Sequence, residues 1–415
     1  MENKKKLIPW IIVSMAFIAT ALSFLDRQVL SVSIIKIKED FPVSDVEYGF
    51  INTGFLISYA IMFSLGGILI DRFGSRPGLA FSVGIWSLGT ILHSLANNVL
   101  HLGIFRFILG AGEGGAFPGA IRAVIEWVPK NKQSLANGIA IGGSALGAVI
   151  APPLCVYLIG ITGWRGVFLV TGIIGFVWVA VWLLVTRRKF SGSREKSPER
   201  TDANGNIKKI PITGLLKIRE AWVFIIIRFL LDPIFYFYMF WIPKYLNESR
   251  GVTLDRIGRL FWIPFLALGI ANMAGGWISD MIFRKTSVLN ISRKSVMGFA
   301  AALTLSAVTI KYINSPGLII AIMCLMFFAH GLWITNYITS IGDIFGRYAT
   351  STIIGFSGSA GAVSALVINP VMGLIISRYS YDPLWFYCGV MYPVAFLIFV
   401  FFIPRIKLLK IFEVD

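Results

Sequence analysis

Apolar residues fall in runs of about 20 along most of this chain, each long enough to cross a hydrocarbon core of about 30 Å as a helix. Twelve such spans are predicted, at 8–35, 47–70, 78–96, 99–122, 134–160, 165–187, 220–246, 256–279, 295–313, 316–341, 350–377 and 383–404. Strands of a membrane barrel would alternate in segments of about ten residues, and these runs do not. The clear polar break is RRKFSGSREKSPERTDANGNIKKIP, residues 187–211, which divides the spans six and six. The halves echo each other. GGILIDRFGSR at 66–76 follows the second span and GGWISDMIFRK at 275–285 follows the eighth, which implies an internal duplication. The pattern therefore predicts an all-α integral membrane protein of twelve transmembrane helices in two pseudo-symmetric six-helix bundles, residues 1–187 and 219–415, joined by a cytoplasmic loop at 188–218.

Composition agrees, with 56% hydrophobic residues, 14% charged residues and a mean hydropathy of +0.76, values that exclude a soluble domain. The net charge of +17 alone would suggest a nucleic-acid partner. Its distribution argues otherwise: with both termini in the cytoplasm, that side gathers about two dozen Lys and Arg, among them Lys4 to Lys6, Lys130, Lys132 and the 187–219 stretch, against about six opposite. Both termini are thus expected in the cytoplasm, with the lipid bilayer of the inner membrane as partner and no nucleic acid. Lys4 to Lys6 before an apolar stretch mimic a signal peptide, but no small-residue cleavage site follows, so the first span is expected to stay. Cys155, Cys324 and Cys388 have no paired spacing, and neither a metal site nor a nucleophile-plus-base set is visible, so no enzyme is expected.

The informative residues are those that break the apolar runs. Asp26 and Arg27 interrupt the first span, and Arg106 and Glu113 lie two helical turns apart in the fourth, on one face and about 10 Å apart along the axis. A charge at the bilayer centre costs several kcal/mol unless it is paired or faces water, so these four are expected to meet inside the first half. Adjacent helical residues point about 100° apart, so of Asp26 and Arg27 one is expected to face the interior and the other to brace the helices. A structural ion-pair knot is the competing reading. In the seventh span Phe235 and Tyr238 share a face, while Trp241 and Tyr245 near its end read as interface anchors. Asn336, beside Trp333 in the tenth span, costs least if it meets a partner or ligand, and His330 reads as a packing histidine.

GGILIDRFGSR resembles the signature cytoplasmic loop of the major facilitator superfamily, with which the span count, the central loop and the second copy agree. The resemblance implies a conformational latch built from Gly67, Asp71, Arg72 and Arg76, with Asp280 in the second copy; Ser75 stands where a basic residue is usual, and the second copy lacks the glycine after its Asp. LDR in the first span with R-x6-E in the fourth resembles the anion:cation symporter branch, and FLLDPIFYFYMFWIPKYL at 229–246 resembles its hexuronate transporters. What this implies is a monomeric secondary transporter importing a monovalent organic anion, a hexuronate sugar acid, by alternating access. It would be proton-coupled, with sodium as the other possible coupling ion, and would need no cofactor. Substrate would meet Arg27, Arg106, Tyr59, Tyr238, Trp333 and Asn336, and Asp26 and Glu113 would carry protons. Guanidinium stays charged and forks onto carboxylate, whereas a carboxyl group can take up and release a proton. Phe24 stands where some members place a tyrosine. An exporter or exchanger of another organic anion and a non-transporting sensor of sugar acids remain as alternatives.

Overall fold

The computed structural model describes residues 2–129, 133–187 and 212–409, which form helices and no strand. Lys130, Lys132 and most of the central loop lie outside the described residues. In chain order come α1 (Glu2–Asp40), α2 (Asp45–Phe73), α3 (Ser75–His93), α4 (Val99–Glu113), α5 (Ala116–Trp127) and α6 (Gln133–Val185). They are followed by α7 (Ile212–Leu215), α8 (Arg219–Phe240), α9 (Ile242–Glu248), α10 (Leu254–Leu260), α11 (Trp262–Thr286), α12 (Leu289–Thr304) with a 3-10 extension to Tyr312, α13 (Pro316–Tyr379) and α14 (Asp382–Phe402). Among the described residues, nine stretches are long and apolar enough to cross a membrane.

Several expected spans are subdivided. The fourth breaks at Gly114 and Gly115 between α4 and α5, the seventh at Trp241 between α8 and α9, and the eighth at Phe261 between α10 and α11. The breaks between the expected spans at 161–164 and 342–349 fall where α6 and α13 each join two helices across a kink, at Gly163 (φ 69°) and Gly346 (φ 55°), both in the left-handed region open to glycine. Pro152, Pro153 and Pro370 sit within helical stretches of these two elements.

The chain divides into two compact units. Unit 1 comprises Met1–Arg194, Phe237–Trp262 and Leu366–Ser377, and unit 2 comprises Glu195–Tyr236, Ile263–Ala365 and Arg378–Asp415, each over its described residues. In unit 1 the helices approach through glycine. A Cβ added at Gly143 or Gly147 of α6 would lie 2.0 Å from the carbonyl oxygens of Phe17 and Ala21 of α1, so these backbones touch directly. The same holds for Gly110 of α4 against the Phe55 carbonyl of α2 (2.4 Å) and for Gly112 against the Trp86 amide of α3 (2.3 Å). Polar side chains fasten the α1–α6 seam: the Thr20 hydroxyl donates to the Ala140 carbonyl (2.6 Å), Gln28 to Ala148 (3.1 Å) and the Trp178 indole to Met15 (3.0 Å). In unit 2, Gly331 of α13 meets Leu268 and Ala271 of α11, and Gly275 meets the Leu332 backbone.

If backbone contact at the α1–α6 seam sets the position of α1, Gly147→Ala forces the helices apart and costs about 1–3 kcal/mol, as overpacking does. Gly142→Ala, five residues away with nothing within 4 Å of its Cβ, is the control. Thermal unfolding in detergent is expected to drop by several degrees for the first and to stay level or rise slightly for the second; equal midpoints would contradict the seam.

Candidate functional site

Three of the four expected intramembrane charges converge in unit 1. Arg27 Nε of α1 donates to Glu113 Oε2 of α4 at 2.5 Å, and the two side chains are 5% and 0% exposed. Ser23, one turn earlier on α1, donates its hydroxyl to the same oxygen (3.0 Å). Arg106 is fully buried, and its Nη2 donates to the Arg27 carbonyl at 2.9 Å. Glu113 therefore pairs with an arginine from another helix, while Arg106, on its own helix, holds the backbone beneath that arginine. Glu113 Oε1 and Arg106 Nε and Nη1 have no hydrogen-bond partner among the described residues.

Aromatic rings wall the guanidinium groups. The Arg27 guanidinium carbon stands 4.5 Å from the Tyr59 ring centre, 4.6 Å from Phe24 and 5.5 Å from Phe55; that of Arg106 stands 4.9 Å from Phe55 and 5.5 Å from Phe240. Ring faces favour a cation while excluding water, which strengthens the charge pairing behind them. Asp26 turns elsewhere, as the 100° helical step requires. It is 1% exposed and neighbours the hydroxyls of Thr90 on α3 and Thr171 on α6, and its Oδ1 has no hydrogen-bond partner among the described residues.

Tyr238 is fully buried in unit 1. Trp241 and Tyr245 correct the expectation of interface anchors: they are 0% and 1% exposed. The Trp241 indole donates to Asn369 Oδ1 (3.1 Å) and meets Tyr48 edge-on, while Tyr48 donates its hydroxyl to the Phe240 carbonyl (2.7 Å). Beside them Lys244, 1% exposed, pairs with Asp45 and with Glu248 (2.5 Å), and Lys38 reaches Glu248 at 2.6 Å. Burial opposes the charge of Glu248, yet the two lysines hold its carboxyl below the usual carboxylate range. These aromatics are buried because they pack within unit 1, a fact that position near a helix end does not reveal.

In unit 2, Trp333 is 1% exposed and meets Tyr392 edge-on at 5.5 Å. Asn336 donates to the Gly275 carbonyl of α11 (3.1 Å) and to Leu332 (2.9 Å), while its Oδ1 has no hydrogen-bond partner among the described residues. His330 shares a 2.5 Å hydrogen bond with the Tyr392 hydroxyl and stacks on Phe235. Unit 2 adds Arg228 and Asp232, absent from the expected site residues, whose Nε–Oδ1 bond is 2.5 Å. Their signal was present as two opposite charges one turn apart in the apolar run IIIRFLLDPIF.

The loop residues are placed as follows. The Asp71 side chain lies outside the described residues. Gly67 is not a point of tightest approach: a Cβ there would sit 3.8 Å from Pro118, whereas one at Gly66 would lie 3.3 Å from Gly115. The α2–α3 turn uses Gly74 at φ 90°, and Ser75 donates its amide (3.2 Å) and its hydroxyl (2.5 Å) to Glu126, which also accepts from Arg122 (2.7 Å). Arg72 lies against the Phe73 ring, and Arg76 reaches the Leu183 carbonyl at 3.4 Å. In the second copy Arg293 is the hub, donating to Asp343 (2.9 Å), Ser279 (2.7 Å) and Asp280 (3.4 Å).

A family model described as Major Facilitator Superfamily matches residues 16–291. The chain is similar to the hexuronate transporter of Escherichia coli (strain K12), 26% identical over 393 residues that cover 92% of this chain and 91% of that one. It is also similar to the probable galactarate/D-glucarate transporter of the same organism, 29% identical over 440 residues, covering 99% and 96%. Among solved structures, a D-xylose-proton symporter shares the fold with a TM-score of 0.75 at 16% identity, over 95% of this chain and 98% of that one.

The energetic weight of the buried pair is measurable by a cycle of Arg27→Gln, Glu113→Gln and both together. Groups in direct contact couple by about 0.5–3 kcal/mol, so the double variant is expected to unfold at a higher temperature than the two single effects predict when added. Strict additivity would show that the pair is not formed.

Proposed function

The chain belongs to the Major Facilitator Superfamily and is a multi-pass membrane transporter rather than an enzyme, and from that premise we propose that it imports a monovalent organic anion, a hexuronate sugar acid, together with protons. The observation that carries this reading is that the interior of unit 1 already holds a carboxylate: Arg27 grips Glu113 at 2.5 Å amid aromatic rings. When Glu113 takes a proton, its hold on Arg27 weakens and the guanidinium is released for a substrate carboxylate. Arg106 adds two donors that have no hydrogen-bond partner among the described residues. Proton and anion binding then favour each other, which is the thermodynamic content of symport. An anion entering against a negative interior costs about 2.3 kcal/mol per 100 mV, and one co-transported proton cancels that cost.

Within this reading Tyr59, beside Arg27, orients the carboxylate end of the substrate. Tyr238, Trp333 and Asn336 serve the sugar ring, with Asn336 Oδ1 as an acceptor for a hydroxyl. Asp26 is a further proton site. Gly67, Asp71, Arg72 and Arg76, with Asp280 in the second copy, act as a conformational latch in alternating access. The chain works as a monomer in the inner membrane, as two six-helix bundles of residues 1–187 and 219–415 with both termini cytoplasmic, because that topology gathers the basic residues on one side. The relatives named for hexuronate and for galactarate/D-glucarate support a sugar-acid substrate. No cofactor is called for.

Arg27→Lys is expected to lose most uptake although its charge is retained, because an ammonium does not reproduce the planar two-donor fork. In the wild type, unlabelled glucuronate should compete with labelled glucuronate far better than glucose does; equal competition would contradict recognition of the carboxylate.

Glu113→Gln imitates the protonated carboxyl permanently. In proteoliposomes this variant is expected to exchange glucuronate by counterflow while losing accumulation driven by a pH gradient. Accumulation at the wild-type level would remove Glu113 from coupling and leave the pair as a structural knot.

A further inference from the structure

Unit 2 carries its own ion pair, half-buried within an apolar span. Arg228 and Asp232 lie in the apolar helix α8, with Nε donating to Oδ1 at 2.5 Å and side chains 25% and 12% exposed. The carboxylate lies against the backbone of α13: a Cβ added at Gly361 would be 1.9 Å from Asp232 Oδ2. The ionisable groups facing the pair from neighbouring elements are Tyr337 and His330 of α13 and Tyr392 of α14, with Tyr236 of α8 near Arg228. Tyr337 donates to the Phe224 carbonyl (2.7 Å), and His330 and Tyr392 are bonded to each other. Arg228 is therefore the counter-charge that Asp232 engages directly.

A purely structural role explains this pair poorly. Both partners sit one turn apart on the same helix, so their bond ties no two elements together, unlike Arg27–Glu113, which joins α1 to α4. Charges inside an apolar span are costly, and apolar residues of similar volume commonly replace an ion pair withdrawn from water without loss of stability. What the pair can do is change its net charge. It is neutral as an ion pair and carries one positive charge once Asp232 is protonated, the charge that an anion in transit offsets.

We propose that Asp232 carries one of the protons moved in each cycle, with Arg228 as its fixed counter-charge. Its carboxylate takes a proton from water at one face of the membrane and releases it at the other, returning to the ion pair. The proposal rests on the proton-coupled reading above and adds a coupling residue in the second unit.

Glucuronate counterflow in proteoliposomes, with no imposed gradient, is measured first. The proton-to-glucuronate ratio is then read from the membrane potential at which net flux reverses under a set pH gradient. Asp232→Asn is expected to keep counterflow while its ratio falls by one proton, and Asp232→Glu to keep the wild-type ratio. Because Asp232→Asn leaves Arg228 charged and can unfold for that reason, the double variant Arg228→Gln/Asp232→Asn, which buries no net charge, is read beside it and is expected to show the same reduced ratio. An unchanged ratio with counterflow intact overturns this proposal alone. Loss of counterflow in both variants makes the pair structural and overturns it as well. Absence of counterflow in the wild type overturns the anion reading itself, and this proposal with it.

Discussion

The arrangement of unit 1 turns on one contact, the bond between the Arg27 guanidinium and the Glu113 carboxylate. Two charges removed from water are tolerable only when each neutralises the other at hydrogen-bonding distance, and here the distance is 2.5 Å between helices that enter the fold far apart in sequence. That demand reaches the backbone. Glu113 arrives at its place because Gly110 and Gly112 let α4 lie directly on α2 and α3, and Arg27 because Gly143 and Gly147 let α1 lie on α6. Larger residues at these points would move one helix by more than the tolerance of the bond. Arg106 completes the arrangement from below by holding the Arg27 carbonyl.

The same contact connects fold to function. An ion pair between helices is stable while the carboxylate is charged and loosens when it is protonated, so it is both a structural tie and a switch. The aromatic rings of Phe24, Phe55 and Tyr59 keep the guanidinium away from water without replacing its charge partner. A carboxylate supplied by a substrate can take the place of the one supplied by the protein. Binding of an anion and release of Arg27 by a proton are then two descriptions of one exchange.

Much of this was legible in the sequence. Four charges inside apolar spans announced themselves by their cost, and periodicity placed Arg106 and Glu113 on one face. The 100° helical step implied that Asp26 and Arg27 would part company, and they do. Which arginine Glu113 would choose was not legible, because pairing between helices depends on how closely they pack and glycine spacing alone does not fix that. For the same reason Trp241 and Tyr245 read as interface anchors, although they are buried against other parts of unit 1. Which of the adjacent Gly66 and Gly67 makes the tighter approach is likewise not legible, since they differ by one helical step that only the packing partner distinguishes. Arg228 and Asp232 are legible as opposite charges one turn apart in an apolar run, a spacing at which they can neutralise each other within one helix.

The central claim is that protonation of a carboxylate and capture of an anion are one exchange at Arg27. Its most direct test is the pH of a weakly buffered medium when glucuronate is added outside proteoliposomes that contain the wild-type protein and hold no gradient. The account predicts that the medium turns alkaline as protons enter with the sugar acid, and that a proton ionophore abolishes the change while glucuronate still enters. Glucuronate entry with no accompanying rise in external pH would contradict it.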